Sequence, residues 1–300
     1  MKKTINIIGK ISIFLAFSSI GGLIYNMFFY ERLRPLILGF KDITAVLESM
    51  QIPVALIFIF LFLFHALTVI YVFLQIVYFK REDFLRALAF FLSIISMLMV
   101  LGDFALLNDI GKEHAAGLDT SGEWPMLYAS QILHFVFLIV IIILIFMTFK
   151  KIRRDRQEVV LKDEAVFINA QYIGILSGLL GIAFFGFLLL TAELWAVKKG
   201  IFMVSLISIL PYLLIVAYWL IIKVREKRGP WYDEKQYIDI SRASLFTMVT
   251  SLVIMTVVYV VQYFIQSLRF LEIMWFPFFF FLVLLLFSAS TLFFSKRPSG

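Results

Sequence analysis

The chain has 300 residues, 62% of them hydrophobic and only 16% charged, with a mean hydropathy of +0.99; ordinary soluble domains are excluded and a lipid bilayer is the implied solvent. A net charge of +7 would suit nucleic acid, but the basic residues flank the apolar runs, where they report topology instead, so no nucleic-acid partner is expected. The absence of cysteine excludes disulfides, thiolate nucleophiles and cysteine-held metals.

Apolar runs of about 20 residues or more, each long enough to cross ~30 Å at ~1.5 Å per residue, predict an all-α polytopic membrane helix bundle. Eight spans are expected, over 11–30, 53–79, 85–107, 126–149, 171–197, 201–222, 243–266 and 270–294. The first follows Lys2, Lys3 and Lys10 but ends in "NMFFYERLR", bulky where a signal peptide needs small residues, so it is read as a retained span. Ser18 and Gly22 give it a small-xxx-small spacing suited to close helix packing. The second span carries His65 near its middle, with Thr68 one turn on. The commoner outcome for such a histidine is a neutral ring making one interhelical hydrogen bond; proton relay or ligand binding is the sharper alternative.

The third span places Asp103 about one turn from its outer end. "LGDF", Leu101 to Phe104, resembles the Gly-x-Gly-Asp signature of presenilin-like intramembrane aspartyl proteases, but Val100 stands where that motif needs glycine. Every other aspartate (42, 83, 109, 119, 155, 163, 233 and 239) is assigned to a loop, so no dyad is expected. Asp103 is then either an interfacial carboxylate reaching water, the reading its position favours, or part of an intramembrane polar site. Gln131 and His134 enter the membrane from the same side on the fourth span, and Glu193 lies near the same level on the fifth, although the neighbouring Lys198 and Lys199 suit a rim charge there. The histidine supply is completed by His114, assigned to a loop; with no H-E-x-x-H, neither a metal nor another cofactor is expected.

In the fifth span "GILSG" resembles a membrane serine protease's Gly-x-Ser-Gly with one residue too many. Gly174, Gly178 and Gly181, at i, i+4 and i+7, make a smooth stripe for another helix instead. Pro211 and Pro277 should each free a carbonyl and kink the sixth and eighth spans.

The chain divides at about residue 150 into two four-helix halves, 1–149 and 150–300. Within the second half, an offset of 70 aligns "DEAVFIN" from Asp163 and Glu164 with "DEKQYID" from Asp233 and Glu234. It also pairs Gly174 with Ser244, Ser177 with Thr247 and Gly181 with Ser251. This reads as a duplicated two-helix unit, 163–222 and 233–292, each preceded by an amphipathic segment whose acids suit a helix N-terminus. "GPWYDEKQYIDISRAS", Gly229 to Ser244, resembles the Asp-Glu-Arg/Lys-Gln segment of several uncharacterised bacterial multi-pass membrane protein families. The resemblance covers at most the last half of the chain; it implies a bacterial origin and carries no activity to transfer.

An N-terminus on the inside puts 20 of the 27 Lys and Arg residues in inside segments, which predicts both termini in the cytoplasm and a plasma-membrane location. The cluster "KKIRRDR", Lys150 to Arg156, mostly fits that topology signal, though it can also attract anionic lipid headgroups. With no complete catalytic set, the expected function is non-enzymatic, a permease-like subunit or a membrane-embedded regulator with a protein partner. The alternative is a small proton-coupled secondary transporter using His65, Asp103 or His134.

Overall fold

The computed structural model describes residues 4, 5, 7–16, 18, 19, 53–78, 83–117, 124–154, 162–191, 197–225, 234–264 and 272–296. Among them the protein is all-helical and without strands. A short apolar helix, α1 (Ile7–Ala16), is followed by α2 (Pro53–Tyr78), α3 (Phe84–Ala115), α4 (Trp124–Arg154), α5 (Lys162–Thr191), α6 (Val197–Arg225), α7 (Glu234–Phe264) and α8 (Glu272–Ser295). Helices α2 to α8 are each long and apolar enough to cross a membrane, which makes this a multi-pass membrane helix bundle. The expected first span, 11–30, lies mostly outside the described residues.

The helices outrun their apolar stretches, and this corrects several sequence assignments. Continuous backbone hydrogen bonding carries α3 beyond its apolar stretch to Ala115, so Asp109 and His114 are helical, not in a loop. That helix stops where Ala116 N–H reaches back to Glu113 O and Gly117 turns to φ 77°, a left-handed backbone that glycine adopts without a Cβ clash. Likewise α5 begins at Lys162 and α7 at Glu234, so Asp163, Glu164, Glu234 and Asp239 stand on helices. The acidic segments are the first turns of the membrane helices themselves; Asp233 lies outside the described residues. Asp239, assigned to a loop from sequence, is buried on α7.

Two compact units emerge, Met1–Gln75 with Leu92–Gln157, and Ile76–Phe91 with Glu158–Gly300. One boundary falls at residue 157, and the turn from α2 into α3 belongs to the second unit. Asp83 caps α3 there: its carboxylate accepts from Leu85 N at 3.1 Å and its carbonyl from Arg86 N and Ala87 N. The other carboxylate oxygen pairs with the Arg86 guanidinium at 3.0 Å, both residues being buried. A guanidinium this deep requires such a partner, because an unpaired charge would lose its hydration without compensation.

The second unit is organised around the glycine stripe of α5. A Cβ added at Gly178 would lie 2.7 Å from Leu285 Cβ and 2.8 Å from its backbone nitrogen. At Gly174 it would meet Ser288 Oγ, and at Gly181 the Phe281 ring. Thus α8 runs along the stripe with its own i, i+4, i+7 row, Phe281, Leu285 and Ser288, seated against α5 backbone. Phe185 stacks on Phe281 with ring centroids 5.8 Å apart, and Ile209 and Tyr212 of α6 close the same cluster. Both prolines lie inside continuous helices, Pro211 beside the Tyr212 that meets Gly174. Helix α7 packs on α8 yet leaves most of its own surface uncovered. Of the offset-70 counterparts, Gly174 is buried and Ser244 exposed, whereas Ser177 and Thr247, and Gly181 and Ser251, are buried alike.

In the first unit, α1 buries Gly9, Ser12, Ala16 and Ser19, a small-residue face one step away from the expected one. Ser18 is only half-buried and donates to Phe14 O of its own helix at 3.2 Å, while Gly22 lies outside the described residues. A residue at position 18 is rotated ~100° from one at 19, which turns Ser18 partly off the face that buries Ser19.

Candidate functional site

Three helices of the first unit converge on His134. It stands on α4, about five residues into the span Ala129–Thr148, with Gln131 buried one turn before it. Its Nε2 lies 2.9 Å from the backbone oxygen of Ser96 on α3, and its Nδ1 lies 3.2 Å from Asp103 Oδ2, seven residues further along α3. His65 of α2 stacks beside it, ring centroids 6.4 Å apart and planes at 26°. His65, Asp103, Gln131 and His134 are therefore drawn together into one buried region, with exposures of 0, 4, 4 and 2%. Glu193 lies outside the described residues.

The position of Asp103 corrects its interfacial reading. Although it is the last residue of the span Phe84–Asp103, it faces inward onto His134 rather than outward to water. Distance from a helix end sets depth, but rotation about the helix axis sets environment, and here rotation wins.

The partners of His134 constrain its proton count. A backbone carbonyl only accepts, so Nε2 must carry a hydrogen and donate to Ser96 O. The remaining nitrogen faces a carboxyl oxygen, and two arrangements satisfy both contacts. Either Nδ1–H donates to an Asp103 carboxylate, making an imidazolium–carboxylate pair, or a protonated Asp103 donates to the unprotonated Nδ1 of a neutral ring. Exchanging the two ring nitrogens leaves the count unchanged. Both states have zero net charge and differ only in where one proton sits along a hydrogen bond. Moving that proton leaves no buried net charge, which is what a low-dielectric interior requires.

His65 has the opposite character. It is fully buried, and among the described residues neither of its ring nitrogens has a hydrogen-bond partner. The expected single interhelical hydrogen bond is not made. An imidazole without partners at this depth costs about 1–3 kcal/mol. Its nearest ring neighbours are Phe64, at 4.9 Å, and His134. Thr68, one turn on, donates to Phe64 O at 2.8 Å and so makes no use of the ring.

Sequence reasoning singled out the four side chains of this region and missed the Ser96 carbonyl, because a backbone acceptor carries no residue signature. Among the described residues no three His, Asp or Glu side chains are grouped to hold a metal ion. Compared with protein-family models, curated proteins and solved structures, the chain matches none.

Proposed function

We propose that the protein is a non-enzymatic, proton-coupled secondary transporter whose proton site is the Asp103–His134 pair with His65 beside it. The observation that carries this reading is the double engagement of His134, by the Ser96 carbonyl and the Asp103 carboxyl, which fixes one transferable proton in a buried site. Ionisable residues within a membrane are rare, face the interior and mark ion or proton pathways. The coupling ion is a proton rather than a hard metal cation, because imidazole nitrogens and a single carboxylate do not supply the oxygen cage such cations need. The protein sits in a bacterial plasma membrane with both termini cytoplasmic, and the basic cluster from Lys150 to Arg156 attracts anionic headgroups. Helices α5/α6 and α7/α8 are two copies of one hairpin.

Reconstitution into liposomes carrying a pH-sensitive dye tests the reading. Under an imposed gradient, with a panel of candidate solutes, wild type dissipates the gradient faster than empty liposomes, and Asp103→Asn and His134→Ala each lose at least 10-fold of that flux. Wild-type flux equal to that of empty liposomes across the panel would refute it. A second reading, the permease-like subunit or membrane-embedded regulator, is favoured by α7, whose exposed Arg242 and Ser244 sit on an almost uncovered helix that could meet a protein partner. A folded protein with no flux that copurifies with one stoichiometric membrane protein would support it.

A further inference from the structure

Two polar lines enter the site from α2 and α3, and their spacing is the same. On α2, His65, Thr68, Val72 and Gln75 stand at i, i+3, i+7 and i+10, all fully buried. On α3, Ser93, Ser96, Val100 and Asp103 repeat the spacing, with exposures of 0, 0, 4 and 4%. At ~100° per residue each set keeps to one helix face. Both faces look into the interior of the first unit, since His65 stacks on His134 and Asp103 pairs with it. Tyr71, also fully buried, adds a phenol to the α2 face near Val72.

We infer that these lines form a proton pathway joining the Asp103–His134 pair to the Gln75 end of α2, a rise of ~15 Å from His65. The inference rests on the proton-handling reading of the pair. A structural ladder would satisfy its polar groups across helices, yet His65 and the Ser96 hydroxyl are buried without hydrogen-bond partners among the described residues, and Thr68 donates only to its own helix. These groups keep open acceptor or donor positions at successive depths, as a relay needs.

The step at His65 balances by itself. Uptake of a proton on one ring nitrogen, concerted with loss of the proton from the other, leaves the ring neutral with its tautomer exchanged, and a ring flip restores the starting state. Hydroxyls at Thr68, Tyr71 and Ser96 accept one proton and release another. Thr68 lies ~4.5 Å along the helix from His65, about the span of one water bridged by two hydrogen bonds, whereas Thr68 and Gln75 are ~10.5 Å apart and need a short chain of waters; water is the co-reactant. On α3 the gap at Val100 is closed by His134, which touches both Ser96 and Asp103. On α2 the corresponding gap is at Val72, the one position of that line without a polar group.

The liposome assay with isosteric substitutions on α2 tests the pathway. Thr68→Val is expected to lower proton flux at least 10-fold and Gln75→Leu by a similar factor, whereas Val72→Thr, which adds a hydroxyl at the gap, raises it several-fold. The gain is the decisive outcome when it disappears on adding Asp103→Asn to Val72→Thr, because nonspecific leak through a damaged fold would persist in the double variant. Wild-type flux in all three variants, with Asp103→Asn still inactive, overturns the pathway and leaves the reading of the pair intact. No flux in wild type overturns both.

Discussion

His65 and Asp103 are both buried polar residues of the first unit, yet their loss should have opposite consequences for stability. Asp103 satisfies His134, so Asp103→Leu strips a buried nitrogen of its partner and should cost about 1–3 kcal/mol, while Asp103→Asn keeps a hydrogen bond and costs less. His65 has no hydrogen bond to lose among the described residues, so His65→Leu removes two buried unpaired nitrogens and should leave the thermal midpoint unchanged or raise it, while proton flux falls. Thermal unfolding in detergent, run beside the flux assay, separates the two. A His65→Leu variant destabilised as much as Asp103→Leu would mean that the His65 ring is hydrogen-bonded in the folded protein. At the turn into α3 the ion pair makes a sharper case. Asp83→Ala removes both the cap of α3 and a carboxylate partner of the buried Arg86, and should cost about 3–5 kcal/mol. Adding Arg86→Met should recover part of that loss, because the guanidinium is then no longer buried without its carboxylate.

Between helices, α5 and α8 can approach so closely only because three glycines remove the side chains that would separate them. Gly178 is the point where the partner's backbone itself is closest: its substitution to Ala would press on Leu285 Cβ and on backbone, which cannot rotate away. Overpacking of this kind typically costs about 1–3 kcal/mol. At Gly174 the nearest atom is the Ser288 hydroxyl, so Gly174→Ala combined with Ser288→Ala should be milder than Gly178→Ala. Gly102 on α3 has nothing within 4 Å of a new Cβ, so Gly102→Ala should be neutral or stabilise by up to about 1 kcal/mol through helix propensity. Thermal midpoints of the three variants should fall in that order. The stripe was legible in the sequence because three glycines at helical spacing have one obvious use; its partner was not, because Phe281, Leu285 and Ser288 share no residue type. The polar site was half legible for a related reason. His65, Asp103 and His134 stood out as scarce polar groups among apolar ones, but which of them meet depends on the rotation of three helices, and no single-chain spacing encodes that. Helix ends were the poorest reading: hydropathy marks where lipid begins, whereas hydrogen bonding continues until a cap such as Asp83 or a stop such as Gly117.

For the whole molecule, the fold class followed from composition alone, because a backbone in lipid must satisfy its own hydrogen bonds and a chain this apolar has helices as its simplest way of doing so. Orientation is a separate matter, since the helices would pack identically either way up and only the charge asymmetry of the connecting segments distinguishes the two. That asymmetry, 20 basic residues against 7 over the eight expected spans, is what supports the proposed orientation, with residue 4 in the cytoplasm and the end of α3 outside. The chain contains no cysteine, so a single introduced thiol is an unambiguous reporter. Thr4 and Ala116 are both exposed in the structure. In intact cells a membrane-impermeant maleimide should label Ala116→Cys and spare Thr4→Cys, with Thr4→Cys labelled only after the membrane is opened. The reverse pattern would invert the molecule and place the Asp103 end of the proton site on the cytoplasmic side, so that a proton entering from outside would meet Gln75 first and the Asp103–His134 pair last.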